Sequence, residues 1–254
     1  MLQAIRTTSA YRIIAWPVAS TIDLILPPEC VWCSASLASG ELTCSTCHKI
    51  LAHRYYACRR CACPLPEVVP NESCPRCHDE KWRFSRTLAL GPYRGRMREA
   101  VILMKKPQFE SLAMVGGKIL GEKVLQELAD AIPDFVIPVP NHWTRRIIHR
   151  TSSAEVLAQA VSRQADIRLK LYAVRRRRIT SKQGMLNWSA RRKNVRGAFA
   201  IRSGKWMEGK HILLVDDVMT SGATVAEISK LLRSAGATRV SVAVVARGTG
   251  TSQN

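Results

Sequence analysis

One short stretch of this 254-residue chain, residues 212–224, specifies a strand, a loop and the start of a helix. The apolar, β-favouring run Ile212–Val215 predicts a buried strand of a parallel sheet. Two adjacent carboxylates, Asp216 and Asp217, follow it, and residues 225–232 have the apolar spacing of a helix. The stretch therefore predicts an α/β fold with both acids at the carboxyl edge of the sheet, where ligands bind.

The residues between that strand and that helix have the chemistry of a phosphate site. Thr220, Ser221 and Thr224 supply hydroxyl donors, and Gly222 lets the backbone approach a ligand closely. The unpaired N–H groups of a helix start favour an anion. With sugar hydroxyls on the two carboxylates, the stretch predicts a ribose 5-phosphate site. The alternative is an ordinary strand, turn and helix with surface acids, whereas a P-loop is excluded because no Gly-Lys-Ser/Thr follows.

Strand and helix patterns alternate through the rest of the C-terminal part. Strands are predicted at residues 84–90, 134–139, 211–215 and 239–245, and helices at residues 112–128 and 153–164. This alternation predicts a parallel sheet with helices on both faces. A joint near residues 80–85 divides the chain into an N-terminal domain of residues 1–82 and a C-terminal domain of residues 83–254.

All nine cysteines fall between residues 30 and 77, and eight of them form four Cys-x-x-Cys pairs. The two-residue gap turns both thiolates toward one point, as in a zinc knuckle, and two knuckles complete a tetrahedral site. Four pairs therefore predict two structural zinc ions. The predicted ligands are Cys30, Cys33, Cys44, Cys47, Cys58, Cys61, Cys74 and Cys77.

The spacing favours sequential pairing of the knuckles, because ten and twelve residues separate neighbouring pairs, enough for a short hairpin in each. Interleaved pairing stays open. Disulfides, a redox pair and an iron–sulfur cluster are weaker alternatives, since each needs a different compartment, context or spacing. Cys63 is left over, either as a packed small apolar residue or as a substitute ligand. A segment this short is expected to need its metal to fold.

The chain carries a formal net charge of +20, from 39 lysines and arginines against 19 aspartates and glutamates. This excess favours polyanionic partners, namely nucleic acid, phosphorylated metabolites or an anionic membrane surface. We expect no membrane span, because no apolar run reaches about 18 residues. Residues 19–26 are predicted to form a short amphipathic helix that packs on its own domain, with a membrane-surface role as the lesser alternative. The predicted location of the protein is the cytoplasm.

Residues 212–224 resemble the phosphoribosyl-pyrophosphate (PRPP) loop of the type I phosphoribosyltransferases. Together with the four Cys-x-x-Cys pairs ahead of it, this loop resembles the ComF family of competence and DNA-utilisation proteins. Intermediate blocks match that family in the same order: residues 93–100 followed by Lys105, then Pro138-Val139-Pro140, residues 176–183 and residues 191–199. The resemblance covers nearly the whole chain. It implies a double zinc ribbon ahead of a phosphoribosyltransferase-like domain.

The resemblance also implies which residues bind the ligand. It assigns ribose 5-phosphate to the loop, with Asp216 and Asp217 as candidate catalytic residues, and pyrophosphate to the turn after Pro138. Mg²⁺ is expected to accompany PRPP. The implied ligand-binding residues are Val215, Asp216, Asp217, Val218, Met219, Thr220, Ser221, Gly222, Ala223, Thr224, Pro140, Asn141 and Arg145.

A basic segment has three open interpretations. Residues 175–178 are four consecutive arginines, and residues 191–193 are again basic. The segment forms a lid over PRPP, a groove for single-stranded DNA or a solvated loop. The candidate nucleic-acid contacts are Arg176, Arg178, Gln183, Arg191 and Arg192.

One position departs from the family pattern. Where the family has an Asn-Gln pair, this chain has Ser152-Ser153. We expect the serine hydroxyls to cap the helix that follows, but not to recognise a base as amide side chains would. The second ligand of this chain is therefore expected to differ from that of its relatives.

Two functions fit these features. In the first, a ComF-type protein binds PRPP or a related ribose phosphate together with single-stranded DNA, and acts in DNA uptake or utilisation beside proteins of the competence machinery. In the second, an active phosphoribosyltransferase transfers ribose 5-phosphate from Mg-PRPP to a base or amine, although no residue stands out as the acceptor's base. A purely structural zinc adaptor is disfavoured, because it leaves the loop without a role.

Overall fold

Strands and helices alternate along the C-terminal part of the molecule. The computed structural model describes residues 27–66, 74–140, 152–178, 193–202 and 204–249. The strands are β1 (Arg86–Pro92), β2 (Phe135–Pro138), β3 (Arg168–Leu169), β4 (Val174–Arg176), β5 (Phe199–Ile201), β6 (His211–Met219) and β7 (Arg239–Arg247). The helices are α1 (Ser45–Leu51), α2 (Gly95–Leu103), α3 (Glu110–Glu127), α4 (Ser153–Ala165) and α5 (Ala223–Ser234). The helix predicted at residues 19–26 lies outside the described residues.

Within the described ranges, five parallel strands form one sheet in the order β1–β7–β6–β2–β3, and β4 pairs antiparallel with β5. Strand β6, which carries the two carboxylates, lies between β7 and β2. The four strands predicted from apolar runs are all present, because each is an apolar run that the sheet buries. The predicted α/β fold with a parallel sheet is confirmed.

Strand β6 is longer than the apolar run that predicts it. It ends at Met219, so that Asp216 and Asp217 lie within the strand rather than after it. The reason is the neighbouring strand, since β7 continues to Arg247 and pairs Val244 with Asp216. The backbone hydrogen bonds of β7 thus keep the polar end of β6 extended, and the phosphate-sized loop is shortened accordingly.

Helices cover the sheet on both faces. The buried residues of α5, among them Val225, Ile228 and Leu232, share one apolar cluster with Ile212 and Leu214 of β6. Helices α3 and α4 pack on each other and on the strands from the opposite side. Gly236 has φ of 99° just after α5, as expected for a helix that ends before the last strand.

Helices α3 and α4 approach each other closely at a glycine. A β-carbon built on Gly117 would lie 2.5 Å from the Ala160 Cβ and 2.8 Å from the backbone oxygen of Leu157. These distances are shorter than van der Waals contact, so the backbone of α3 meets the backbone of α4 here. Because α4 begins at the carboxylate pair, this contact sets where the start of α4 lies.

Contacts divide the chain into two units, Met1–His48 and Lys49–Asn254. The first unit contains Cys30, Cys33, Cys44 and Cys47, and Glu29 forms an antiparallel bridge with Ser36 there. The other four paired cysteines lie in the second unit, where they share a buried cluster with residues of the sheet. The joint predicted near residues 80–85 therefore falls inside the second unit. Among the described helices, none has the length and apolar character that crossing a membrane requires.

Replacing Gly117 by alanine is expected to lower the free energy of unfolding by about 1–3 kcal/mol, because the added methyl forces α3 and α4 apart. The matched variant Gly116→Ala puts its methyl 2.9 Å from the mobile end of the Met104 side chain instead. It is expected to be nearly neutral, or to gain up to about 1 kcal/mol of helix propensity. Urea unfolding followed by circular dichroism measures both, and equal effects at the two glycines would contradict the close approach.

Candidate functional site

Asp217 holds a hydroxyl group and a cation near the carboxyl end of β6. Its Oδ2 accepts a hydrogen bond of 2.9 Å from the hydroxyl of Ser153, the first residue of α4. The same oxygen lies 3.2 Å from Lys105 Nζ, which follows α2. Only 14% of the Asp217 side chain is exposed, so water screens this ion pair less than a surface pair. Three segments far apart in the sequence thus meet at one carboxylate.

Asp216 points to the opposite face of the sheet, because successive side chains of a strand alternate. Burial, reinforced by the charge of Asp217, raises the pKa of the Asp216 carboxyl well above its ordinary value. Arg176 of β4 interacts electrostatically with Asp216: burial lowers the pKa of its guanidinium, and the carboxylate opposes that shift. The same guanidinium lies 5.1 Å from the ring centre of Phe199. Cations therefore flank the carboxylate pair on both faces of the sheet.

The loop after β6 consists of Thr220, Ser221 and Gly222. Gly222 has φ of 75°, in the left-handed region that favours glycine. Helix α5 begins at Ala223, whose N–H donates to Ser221 Oγ at 3.3 Å. The first N–H groups of α5 have no partners within the helix and carry its positive end. The structure thus contains the predicted succession of carboxylates, short loop and helix start.

Arg247, the last residue of β7, holds the backbone of this loop. It is fully buried. Its Nη1 donates to the Met219 carbonyl at 2.9 Å and also contacts the carbonyls of Thr220 and Gly248. Its Nε donates to the Cys61 carbonyl at 2.6 Å. These oxygens replace part of the water that a buried guanidinium loses, since Nη2 is buried without a hydrogen-bond partner among the described residues. They also join the loop to a cysteine knuckle.

The other residues predicted to bind ligands have different positions. Pro140 is half-buried just beyond β2, whose Pro138 pairs with Val215. Arg178 is exposed and donates to the carbonyls of Asn194 and Arg196, whereas Arg176 is half-buried. The predicted residues outside the described ranges are Asn141, Arg145, Gln183, Arg191 and Arg192.

The sequence does not identify Lys105, Ser153 or Arg247 as residues of this site. Lys105 stands out only as part of a family block, and Ser153 only as a helix cap. Ser152 does cap α4, accepting a 3.2 Å hydrogen bond from the N–H of Glu155, as predicted, but Ser153 binds Asp217 instead. Nothing near Arg247 in the sequence distinguishes it from the many other arginines, because its partners come from distant segments.

The eight paired cysteines form two tetrads in the sequential order favoured by their spacing. One consists of Cys30, Cys33, Cys44 and Cys47, and the other of Cys58, Cys61, Cys74 and Cys77. In each tetrad all Sγ atoms lie within 4.8 Å of one another. The Sγ atoms of Cys33 and Cys44 are 3.7 Å apart, and those of Cys61 and Cys74 are 3.6 Å apart.

These separations suit a tetrahedral metal site. Zinc bound to four thiolates at about 2.3 Å puts the sulfurs about 3.8 Å apart, whereas a disulfide needs about 2.0 Å. All nine cysteines are free of disulfides. Both tetrads therefore suit a structural zinc ion, and Cys63 belongs to neither.

Comparison with known proteins finds a matching domain family for each half of the chain. A double zinc ribbon domain model matches residues 21–78, and a phosphoribosyl transferase domain model matches residues 151–253. The DNA utilization protein YhgH of Escherichia coli O6:H1 is 30% identical over 227 residues, covering 86% of this chain and 96% of that protein. Competence protein F of Haemophilus influenzae is 29% identical over 229 residues, with the same two coverages. A solved glutamine PRPP amidotransferase from B. subtilis has 25% identity and a TM-score of 0.40, covering 58% of this chain and 30% of that one.

The fold and the site define a class of protein, a phosphoribosyltransferase-type α/β domain that follows a double zinc ribbon. Within that class, the chain belongs to the ComF family, together with YhgH and competence protein F. The family assignment made from the sequence motifs is thereby confirmed.

Purified protein is expected to contain two zinc ions per chain, one for each tetrad. The Cys58→Ser variant is expected to retain one, because three thiolates no longer close a tetrahedral site. The Cys63→Ser variant is expected to retain both, because Cys63 lies in neither tetrad. Plasma mass spectrometry of zinc per chain measures all three proteins. A full zinc content in the Cys58 variant, or a loss in the Cys63 variant, would contradict these ligand sets.

Proposed function

We propose that this chain is a DNA-utilisation protein whose C-terminal domain binds PRPP or a related ribose phosphate. The observation that carries the ligand proposal is the arrangement around the carboxylate pair. Lys105 lies against Asp217 on one face of the sheet, and Arg176 interacts with Asp216 on the other. A phosphoribosyl ligand combines a diol, which needs acceptors, with phosphates, which need cations and N–H donors. Acceptors, cations and N–H donors are all present around the end of β6.

In this proposal each part of the ligand has a distinct set of partners. The 5-phosphate binds the N–H groups of the loop and of the α5 N-terminus, where the helix dipole favours an anion. The ribose hydroxyls donate to Asp216 and Asp217. The pyrophosphate lies toward the residues that follow β2 in the sequence, namely Pro140, Asn141 and Arg145. Lys105 is free to turn from Asp217 to a phosphate, because a lysine side chain is long and flexible.

Mg²⁺ suits this carboxylate pair, since magnesium is usually held by one or two carboxylates together with substrate phosphates. Asp216 and Asp217 would hold the ion directly or through water, and the ion would neutralise phosphate charge. The chain's own residues would do the rest, by orienting the diol and surrounding the phosphates with cations.

The DNA part of the proposal rests on the relatives and on charge. The relatives are named as DNA utilization and competence proteins, and this chain carries a net charge of +20. Along β4 and the residue after it, Arg175 and Arg177 are exposed, while Arg176 between them is half-buried. The exposed side of this strand offers cations to a phosphate backbone, and single-stranded DNA is the proposed partner. Competence proteins as partners and the cytoplasm as location follow from the same relatives and stay part of the proposal.

Calorimetric titration of the zinc-loaded protein with Mg-PRPP is expected to show one binding site. Asp216→Asn/Asp217→Asn is expected to weaken binding at least about tenfold, because one lost hydrogen bond to a charged acceptor such as Asp217 already costs about 1.5–3 kcal/mol. Asp166→Asn is the matched control, since Asp166 is exposed at the end of α4 and its left-handed conformation also suits asparagine.

The wild type failing to bind, or the control losing affinity like the double variant, would refute the ligand proposal. A pyrophosphate-release assay with added bases and amines, run on the same samples, distinguishes binding from turnover. Release that depends on Asp216 would favour the phosphoribosyltransferase alternative over a purely binding role.

Binding of single-stranded DNA is expected to depend steeply on salt. Removing two phosphate contacts with Arg175→Gln/Arg177→Gln is expected to reduce the slope of log K against log salt by about 1.4. Lys118→Gln/Arg163→Gln removes the same charge from exposed positions on α3 and α4 and should leave the slope nearly unchanged. Fluorescence anisotropy with a labelled oligonucleotide at several salt concentrations measures both. Equal slopes for the two double variants would mean that β4 is not a specific contact surface.

A further inference from the structure

We propose that the second cysteine tetrad and Arg247 together set the shape of the phosphate loop, so that metal binding at this tetrad controls ligand binding at the loop. The metal ligands are Cys58, Cys61, Cys74 and Cys77, and the loop is Thr220 to Gly222. The part of this inference that concerns PRPP rests on the proposed function. The part that concerns loop shape does not, because it can be tested without a ligand.

The first connection runs through Arg247. Its Nε is bonded to the carbonyl of Cys61, a predicted zinc ligand, and its Nη1 to the carbonyl of Met219, at the start of the loop. A guanidinium is planar and rigid, so these two carbonyls are held at a fixed separation. The guanidinium is fully buried, and losing the Cys61 carbonyl would leave Nε, a charged donor, with neither a partner nor water. Movement of the Cys61 backbone is therefore costly unless the loop moves as well.

The second connection runs through Trp82. A β-carbon on Gly222 would lie 3.1 Å from Trp82 Cζ2, so the indole ring packs directly against the glycine of the loop. Arg60, which lies between the knuckle cysteines Cys58 and Cys61, contacts the same ring at 5.8 Å from its centre. Arg60 also donates to the carbonyl of Cys77 at 2.7 Å. The ring that supports the loop is thus supported by the knuckle in turn.

A third set of contacts attaches the knuckle to the sheet. The N–H of Thr87 in β1 donates to the carbonyl of Arg59 at 3.0 Å, and its hydroxyl donates to the carbonyl of Arg60 at 2.8 Å. The knuckle is therefore fixed on one side to β1 and on the other to the loop. Its internal shape depends on four cysteine sulfurs being held together, which is what a bound metal ion does.

The metal-free knuckle loses that internal link. Residues Cys58 to Cys61 then have fewer constraints, the Cys61 carbonyl and the Arg60 side chain shift, and Arg247 and Trp82 lose their fixed partners. The loop carbonyls are released, and the N–H groups of the loop no longer converge on one phosphate. By thermodynamic linkage, a ligand bound at the loop must stabilise the metal in the second tetrad by the same factor.

Hydrogen exchange measures the loop directly in the ligand-free protein. In Cys74→Ser, which removes a ligand of the second tetrad, amides of residues 219–223 are expected to exchange at least about fivefold faster. In Cys33→Ser, which removes a ligand of the first tetrad in the separate unit Met1–His48, these amides are expected to exchange at the wild-type rate. Peptides from α4 report whether the whole domain is intact in each protein.

Arg247→Lys tests the connection while all eight metal ligands are kept. A lysine keeps the charge but cannot bond to the Cys61 and Met219 carbonyls together with the geometry of a guanidinium. Faster exchange at residues 219–223 is expected with the zinc content unchanged. If Cys74→Ser fails to fold, Arg247→Lys still tests the inference. A purely structural role of Arg247 would raise exchange in α4 to the same extent as at residues 219–223.

Zinc release into a coloured chelator tests the linkage. In Cys33→Ser, whose remaining zinc is in the second tetrad, Mg-PRPP is expected to raise the chelator concentration that removes half of the zinc at equilibrium about fivefold or more. In Cys74→Ser, whose remaining zinc is in the first tetrad, it is expected to have no effect on this equilibrium. Unchanged loop exchange in both Cys74→Ser and Arg247→Lys would overturn the inference. Absence of PRPP binding by the wild type would refute the proposed function alone, since the exchange experiment uses no ligand.

Discussion

A buried guanidinium holds together the carboxyl edge of this sheet. Arg247 ends the strand beside β6, and its bonds to the Met219 and Cys61 carbonyls join a strand end, a loop and a metal knuckle. A buried cation is stabilised by acceptors that replace the water it has lost. Here the acceptors of Nε and Nη1 are backbone carbonyls from separate segments, while Nη2 is buried without one among the described residues. These hydrogen bonds hold the carbonyls in fixed positions relative to one another and so set the path of the loop from Thr220 to Gly222.

The two carboxylates also have partners from separate parts of the fold. Because neighbouring residues of a strand point to opposite faces, Asp216 and Asp217 take their partners from different layers of the fold. Asp217 meets α4 and Lys105, while Arg176 of β4 interacts electrostatically with Asp216. These cations reduce the repulsion between the two adjacent acids but do not remove it, since burial and the charge of Asp217 still raise the pKa of Asp216. In the proposed complex, the phosphates would take over the cations and the diol would take over the acids.

Sequence reasoning succeeded where the physical signal was local. The apolar runs of β6 and β7 predicted strands, and the Cys-x-x-Cys spacing predicted two metal sites whose members the structure brings together in that order. It failed where the partner was distant. Strand β6 continues through the acids because β7 pairs with them, and Ser153 binds Asp217 rather than capping its helix. The interaction of Arg176 with Asp216 could not be predicted from the sequence either. In a run of four arginines, the side chains that become buried depend on which face of the strand each residue occupies.

What the sequence alone determined is the set of parts: an α/β sheet with a short loop between two carboxylates and a helix, two sets of four thiolates, and a strongly basic chain. Periodicity, glycine placement and ligand spacing act over a few residues, so all of them can be recognised in the sequence. Only the tertiary structure decided how the parts connect, namely that Lys105 meets Asp217 and that Arg247 joins the loop to Cys61. Those contacts join segments far apart in the chain. They depend on which charged groups become buried together, and no local sequence pattern indicates this.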